Sequence, residues 1–174
     1  DELGAELGVP TSPSNLEAAE GADAVVLAIP FGAVETTASD LAGAVGGKVV
    51  IDVTNPLKDD YSGLVTETGP SGAERVQEKM PSARVVKAFN TVFASNQDKG
   101  QVDGVQLDGF VAGDDPGAKE QVMTLLSEIG FRPIDTGPLT SARYLEAMGF
   151  LNIALNAAND WPWQTGWKLV GPTA

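Results

Sequence analysis

Three short runs of apolar, β-branched residues constrain the fold of this chain more than any other sequence feature. They occupy residues 22–30 (ADAVVLAIP), 48–56 (KVVIDVTNP) and 83–91 (ARVVKAFNT). Because both alternating faces of each run are apolar, the pattern is typical of parallel strands covered by helices on each side. The intervening segments, 31–45 and 71–80, show the apolar spacing of helices with one buried stripe. The sequence therefore predicts a βαβαβ alternation and an α/β fold with a mostly parallel sheet.

The second half of the chain continues this alternation. Strands are predicted at residues 105–114 and 130–138, and they bracket a helix that Pro116 opens and Gly130 ends. Residues 58–70 contain Gly, Pro and paired Asp without any period, so we expect a surface loop there.

A long last helix is predicted over residues 139–160. Its apolar residues on one face are expected to join the core: Tyr144, Met148, Leu151 and Leu155. A neighbouring polar stripe is interpreted as a solvated face or an oligomer contact rather than a ligand site: Asn152, Asn156 and Asn159.

Composition removes several classes of function. The chain has 174 residues, of which 43% are hydrophobic, so it can enclose one sizeable core. It contains no Cys and no His, which excludes disulfides, Cys/His zinc sites, Ser-His-Asp triads and imidazole acid–base catalysis. The net charge of −13 offers no basic footprint for nucleic acid. No apolar run reaches the roughly 18 residues of a membrane span, and we expect a cytoplasmic protein.

Polar turns follow each of the three strong strands and suggest where a ligand binds. The turns are Ala28-Ile29-Pro30, Thr54-Asn55-Pro56 and Asn90-Thr91. In open parallel sheets, ligands bind beyond the carboxyl ends of the strands. Each turn alone is ordinary turn chemistry, but their repetition at one sheet edge favours a nucleotide site.

The glycine-rich phosphate loop of dinucleotide-binding folds is not found after any predicted strand. The nearest candidate, GAVGGK at residues 43–48, precedes a strand instead of following one. Since the chain also opens on what resembles the end of a helix, we expect an N-terminally incomplete domain whose first β-α-β unit lies outside this sequence.

Four linked motifs resemble the coenzyme F420-dependent NADP oxidoreductase family, relatives of the reductase domain of membrane metalloreductases. The motifs are VVLAIPFGAV, VVIDVTNPL, RVVKAFNTVFA and DTGPLTSARYLE, within a match over residues 11–168. The resemblance implies a Rossmann-like domain, partial here at residues 1–138, with a small helical extension at residues 139–174. It also implies an enzyme that moves a hydride between NADP(H) and the deazaflavin coenzyme F420, and we expect a homodimer.

The resemblance implies cofactor-binding residues but no catalytic side chain and no metal, since hydride transfer between two rings depends on alignment and exclusion of water. The adenosine and pyrophosphate side would be lined by Ala28, Ile29 and Pro30, with Val34 packed beneath. The nicotinamide would be bordered by Asn55, Pro56, Ala88, Phe89, Asn90 and Thr91. The deazaflavin would be approached by Gly137, Pro138 and Leu139.

Two other functions stay open from the residues. The first is an NADPH-dependent reductase of the same fold that uses a flavin, quinone or metal acceptor. The second is a non-catalytic remnant, since the chain lacks the glycine-rich loop.

Two further features carry predictions. Asp52 and Lys87 each lie three residues before their strand's terminal Asn, so adjacent parallel strands would place them side by side as an ion pair; alternatively, each extends separately toward solvent. The three tryptophans, Trp161, Trp163 and Trp167, would close the core or a dimer contact, or one of them would line the acceptor pocket.

Overall fold

The computed structural model describes residues 2–172, with side chains from residue 4 onward. The strands are, in chain order, β1 (Ala24–Leu27), β2 (Val49–Asp52), β3 (Arg84–Lys87), β4 (Gln101–Val102), β5 (Val105–Gln106), β6 (Asp108–Gly113) and β7 (Arg132–Asp135). Five of them form the main sheet in the order β1-β2-β3-β6-β7, while β4 and β5 form a separate hairpin. The pairs β1–β2, β2–β3 and β6–β7 are parallel, which confirms the predicted α/β fold with a mostly parallel sheet.

Helices connect and cover the strands. They are α1 (Glu2–Leu7), α2 (Asn15–Glu20), α3 (Val34–Leu41), α4 (Gly72–Lys79), α5 (Pro116–Ile129) and α6 (Ala142–Asn159). Local signals set several ends: Ser71 forms a capping box with Glu74 at the start of α4, and Asp115 caps α5 just before Pro116. Gly130 ends α5 with a φ of 111°, a left-handed conformation that glycine adopts readily. The predicted loop at residues 58–70 contains neither helix nor strand.

Strand β6 runs antiparallel to β3, which reverses the direction of the last two strands. Parallel neighbours need a long crossover connection, usually a helix. Between β3 and β6 the chain has only the 3-10 turn Ala94–Asn96 and the β4–β5 hairpin, so it enters β6 without such a crossover. The carboxyl ends of β6 and β7 therefore lie at the edge where β1, β2 and β3 begin.

The core lies on both faces of the sheet, as predicted. One buried cluster joins residues of α3 and α4, such as Val34 and Val76, to the face of the sheet that carries Val50. The opposite face, which carries Ile51, packs against α5 through residues such as Val122.

The packing of α6 is largely the reverse of the predicted one, although Met148 is half-buried and packs against the core as predicted. Tyr144, Leu151 and Leu155 are 68%, 47% and 38% exposed, whereas Asn152 and Asn156 are buried. Because the apolar side chains of α6 are spread around the whole helix, its own pattern does not determine which face packs against the rest of the protein. The tertiary structure places the polar Thr165 against the Asn face, where Asn156 Nδ2 donates to Thr165 Oγ1 at 2.6 Å and Thr165 Oγ1 donates to Asn152 Oδ1 at 2.6 Å. Asn159 alone of the predicted stripe is exposed.

None of the helices within residues 2–172 is long and apolar enough to cross a membrane. The division of the chain after residue 138 stays a prediction, and its outer limits, residues 1, 173 and 174, lie outside the described residues.

Candidate cofactor and acceptor clefts

The carboxyl ends of β1 and β2 border a cleft of about 500 Å³, which we call the strand-exit cleft. Its lining residues come from both strand exits, the loop after β2 and helix α6: Ile29, Pro30, Phe31, Gly32, Val53, Thr54, Asn55, Leu57, Lys58, Asp59, Tyr61 and Ile153. A ligand at this edge would meet backbone and short polar groups at the ends of parallel strands. The exits of β1 and β2 therefore meet at one cleft, whereas the β3 exit at Asn90-Thr91 does not line it.

A second cleft of about 700 Å³ adjoins the first, and we call it the aromatic cleft. Its six lining residues are Tyr61, Phe93, Ile153, Ala154, Ala157 and Trp163. Since Tyr61 and Ile153 line both clefts, the two spaces are neighbours. The Phe93 and Trp163 rings meet edge to face, with centroids 5.5 Å apart and planes at 79°.

Hydrogen bonds hold the aromatic wall in place. Ser95 Oγ donates to the Trp163 carbonyl at 2.7 Å, and Asn96 Nδ2 donates to the Gln164 carbonyl at 2.9 Å. Tyr61 and Trp163 both adopt left-handed backbone conformations, with φ of 57° and 58°. Such conformations are uncommon for aromatic residues and persist where the surrounding structure imposes them.

The exits of β2 and β3 are joined by two asparagines. Asn55 Nδ2 donates to the Asn90 carbonyl at 2.8 Å, and Asn90 Nδ2 donates to Asn55 Oδ1 at 2.9 Å. Helix α6 approaches this pair at Gly149, where a Cβ atom would come within 2.6 Å of Asn55 Oδ1. The Asn55 amide is thus engaged by the neighbouring turn, and only a glycine allows the helix to pack this closely.

A buried charged cluster lies beneath these exits. Lys87 Nζ donates to Asp52 Oδ2 at 2.8 Å and to the Thr54 carbonyl at 2.6 Å, which confirms the predicted ion pair. Glu146 of α6 is a third member that sequence reasoning missed, with Oε1 3.3 Å from Lys87 Nζ. The side chains of Lys87, Asp52 and Glu146 are all completely buried.

Each carboxylate of this cluster has further donors. Asp52 Oδ1 accepts from the Thr54 backbone N–H at 3.0 Å and from its hydroxyl at 2.7 Å. Glu146 accepts from the backbone N–H groups of Gly72 and Ala73, at the start of α4. The cluster therefore connects the β2 exit to α4 and α6, and it holds the turn that lines the strand-exit cleft.

The predicted residues at the exits of β1, β2 and β3 share one sheet edge, but only some reach the cleft. The residues that line the strand-exit cleft are Ile29, Pro30 and Asn55. Ala28 is exposed beside them. The buried residues behind the exits are Pro56, Ala88, Phe89, Asn90 and Thr91, of which Phe89 has a left-handed φ of 62°. Val34 is fully buried in the core beyond the β1 exit.

Gly137, Pro138 and Leu139 lie at the opposite edge of the sheet, because β7 runs antiparallel to β3. The Leu139 N–H donates to Asp114 Oδ1 at 2.8 Å, and Leu139 packs in the core near Ala83. A groove of about 680 Å³ opens there, and carboxylates dominate its charged lining. The acidic lining residues are Glu74, Glu78, Asp114 and Asp115, against the single cation Arg84. Such a groove repels phosphate, so it does not suit an anionic nucleotide.

The aromatic residues Tyr61 and Phe93 were not identified from the sequence. Each lies in a loop, and neither loop has a pattern that marks its aromatic residue as part of a site. Trp163 was one of three tryptophans considered for an acceptor pocket, and it is the one that lines the aromatic cleft. Trp167 instead packs beside Phe110 in the core. Within the described residues, no group of three or more acidic side chains could hold a metal ion.

Comparisons with known proteins identify the family. A family model described as NADP oxidoreductase, coenzyme F420-dependent, matches residues 1–56. The F420-dependent NADP reductase of Methanocaldococcus jannaschii is 34% identical over 148 residues, which is 82% of this chain and 66% of the relative. The reductase of the same name from Methanothermobacter marburgensis is 34% identical over 155 residues, 84% of this chain and 68% of the relative. The chain thus spans about two thirds of the length of these relatives.

A solved structure shares the fold. It is a protein from Arthrobacter sp. FB24, provisionally assigned as an F420-dependent NADP-reductase, with 30% identity and a TM-score of 0.82. The match covers 89% of this chain and 72% of the other. The chain belongs to the coenzyme F420-dependent NADP oxidoreductase family.

Proposed function

We propose that the full-length protein is an oxidoreductase that transfers a hydride between NADP(H) and coenzyme F420. The observation that carries the proposal is the pair of adjoining clefts, one at the strand exits and one walled by aromatic rings. Two neighbouring spaces with these linings suit two flat rings held next to each other. When bound, NADPH supplies a hydride and F420 accepts it, so the protein's own task is alignment and exclusion of water.

The described residues fit the ring end of NADP. The strand-exit cleft is large enough for a nicotinamide, and Ile29, Pro30 and Asn55 would form its floor at the carboxyl ends of β1 and β2. The phosphates of NADP need hydrogen-bond donors such as the backbone N–H groups of a glycine-rich loop. The sequence has no Gly-x-Gly-x-x-Gly motif to supply them. We therefore assign no residue of this sequence to the phosphates.

The acceptor would lie in the aromatic cleft, against Tyr61, Phe93 and Trp163. The opposite-edge position of Gly137, Pro138 and Leu139 does not support the contact with the deazaflavin that the resemblance implied. A homodimer, a cytoplasmic location and the absence of nucleic acid partners remain parts of this proposal.

The test is NADPH oxidation by the full-length protein under anaerobic conditions, followed by absorbance with F420, FMN, a quinone or a ferric chelate as acceptor. We expect F420 to be reduced with kcat/KM at least about tenfold above the others. Preference for FMN, a quinone or the ferric chelate would support the alternative reductase. Binding of neither NADPH nor any acceptor would support a non-catalytic protein.

A site variant strengthens the test. Asn55→Ala removes the side chain that joins the β2 and β3 exits, and we expect single-turnover hydride transfer to fall by roughly tenfold, about 1.4 kcal/mol. Asn159→Ala is the matched control, because Asn159 is exposed and its side chain donates to the Leu155 carbonyl of its own helix. Thermal unfolding beside the rates separates lost alignment from lost stability. Normal turnover per folded molecule in Asn55→Ala would contradict the placement of the nicotinamide.

A further inference from the structure

Three walls of the strand-exit cleft come from segments that lie far apart in the sequence. The β2 exit contributes Asn55, the loop at residues 58–70 contributes Tyr61, and helix α6 contributes Ile153. Reaction between two bound groups needs their atoms within about 3–3.5 Å of each other, and a misplacement of about 1 Å can cost about 100-fold in rate. A residue that fixes the spacing of these walls therefore affects the rate without touching a ligand.

Glu146 connects all three walls. It belongs to α6 itself, and its Oε2 accepts from the Thr66 hydroxyl at 3.2 Å, which ties the loop to the helix. Its Oε1 lies 3.3 Å from Lys87 Nζ. The Lys87 ammonium in turn donates to the Thr54 carbonyl at 2.6 Å, directly before Asn55. One side chain thus joins the helix, the loop and the β2 exit.

Two further contacts seat the same part of α6 on the strand exits. The Leu145 carbonyl accepts from Asn90 Nδ2 at 2.9 Å, and Gly149 leaves no room for a Cβ atom beside Asn55. Because Asn90 is itself hydrogen-bonded to Asn55, α6 and the exits of β2 and β3 form one connected unit at this level. A shift of α6 at Glu146 therefore reaches the Asn55 side chain.

Stability does not by itself account for a carboxylate at this position. The Glu146 side chain is completely buried, and replacing buried ionic groups by well-packed apolar residues is often neutral or stabilising. Donors from three separate segments converge on its two oxygens: the Lys87 ammonium, the Thr66 hydroxyl and the backbone N–H groups of Gly72 and Ala73. An apolar side chain would fill the same space but would hold none of these donors in place.

We propose that Glu146 is a positioning residue for hydride transfer, which sets the spacing of the β2 exit, the loop at residues 58–70 and helix α6 around the nicotinamide. This inference rests on the proposed function, in which the strand-exit cleft holds the nicotinamide ring. Because its side chain is completely buried, Glu146 acts through Lys87 and Thr66 rather than on a ligand. Its loss therefore slows hydride transfer at saturating ligand and leaves the affinity for NADPH nearly unchanged.

The test replaces Glu146 by Gln in the full-length protein. Glutamine keeps the size of the side chain but removes its charge and one acceptor oxygen. Lys87 keeps Asp52 as its partner at 2.8 Å, so we expect the variant to fold, which thermal unfolding checks. Single-turnover hydride transfer from NADPH to F420 should fall by at least about tenfold, while the NADPH dissociation constant, measured by nicotinamide fluorescence, stays within about threefold. An unchanged rate in folded Glu146→Gln, or an equal loss of affinity, would overturn the inference.

Variants of the loop test the same role without altering the buried charges. Thr66→Val removes the hydroxyl that Glu146 accepts from and should slow hydride transfer by about threefold to tenfold, whereas Thr66→Ser keeps a hydroxyl and should stay within about twofold. Thr68→Val is the matched control, because Thr68 is an exposed residue of the same loop that does not line the cleft. Thr66→Val combined with Glu146→Gln should be no slower than Glu146→Gln alone, since the loop acts through the carboxylate. Additive losses in the double variant would contradict this route.

Amide hydrogen exchange of the cofactor-free protein gives a readout that does not depend on turnover. The Val65 N–H, next to Thr66, donates to the Pro56 carbonyl at 2.8 Å and closes the loop. Thr66→Val and Glu146→Gln should each speed exchange in this loop by roughly tenfold and leave the amides of α5 unchanged. Equal exchange in the loop of the parent protein and both variants would refute the coupling.

These measurements separate the inference from the proposed function. If the parent protein reduces F420 and the Glu146 variant does so at the same rate, the reaction stands and the positioning role fails. If F420 is not the acceptor, the proposed reaction fails, and the positioning role is decided with the acceptor that the parent protein does reduce. If the parent protein transfers hydride to no acceptor, both fail.

Discussion

Replacing Lys87 by Met removes the only cation of the buried cluster beneath the strand exits. The ammonium of Lys87 lies 2.8 Å from Asp52 and 3.3 Å from Glu146, and all three side chains are completely buried. The variant therefore leaves two carboxylates fully buried without a cation beside them. Breaking one buried ion pair in this way typically costs about 3–5 kcal/mol.

The remaining hydrogen bonds limit this cost without removing it. Asp52 keeps the two donors of Thr54, and Glu146 keeps the N–H groups at the start of α4. We therefore expect the free energy of unfolding to fall by about 3–5 kcal/mol, a large share of the roughly 5–15 kcal/mol of a typical domain.

Urea-induced unfolding of the full-length protein, followed by tryptophan fluorescence, measures this change. Lys99→Met is the matched control, because Lys99 and Asp98 form an exposed pair at 3.8 Å that should contribute less than about 0.5 kcal/mol. The double variant Lys87→Met/Glu146→Gln should recover about 1–2 kcal/mol, since one unpaired buried charge is removed with the cation. A loss below about 1 kcal/mol in Lys87→Met, or no recovery in the double variant, would refute this reasoning.

Three further predictions concern other contacts. Gly149→Ala places a Cβ atom 2.6 Å from Asn55 Oδ1, so we expect urea unfolding to show a loss of about 1–3 kcal/mol, whereas Gly43→Ala, with open space around it, should lose less than about 0.5 kcal/mol. Ser71→Ala removes the capping box of α4 and should cost about 1 kcal/mol by the same measurement; an unchanged midpoint would contradict the cap's role. Burial raises the pKa of Asp108, but its hydrogen bonds to cationic groups and a backbone N–H outweigh this and lower the pKa below the ordinary value. The ionised Asp108 carboxylate therefore stabilises the folded state fully above about pH 4, and this stabilisation is lost as the pH falls through the folded-state pKa. Unfolding curves of Asp108→Asn and the parent protein should converge only at acidic pH.

Much of the fold could be predicted because its signals are local. The apolar runs around Val50 and Val86 are strands, Pro116 opens a helix, and Gly130 ends it in the left-handed conformation that glycine tolerates. The pairing of Asp52 with Lys87 also followed from register, since both lie at the same level of adjacent parallel strands. These features depend on a few neighbouring residues or on a pairing that the parallel pattern already implies.

Part of the site could not be predicted because it depends on contacts between distant segments. Glu146 reaches Lys87 from α6, and nothing in the helix sequence indicates that this acidic residue is buried. The aromatic cleft joins Tyr61, Phe93 and Trp163 from three loops, and only the folded chain brings them together.

The sequence by itself determined the order and type of the elements and the edge where β1, β2 and β3 end, because hydrophobic period and capping residues act over a few positions. Only the tertiary structure decided the direction of β6 and β7, and with it the placement of Leu139 at the opposite edge. Strand direction depends on how the chain returns to the sheet, which no local period records. The same holds for α6, whose exposed Leu151 and buried Asn156 reflect the segment that packs against it rather than its own pattern.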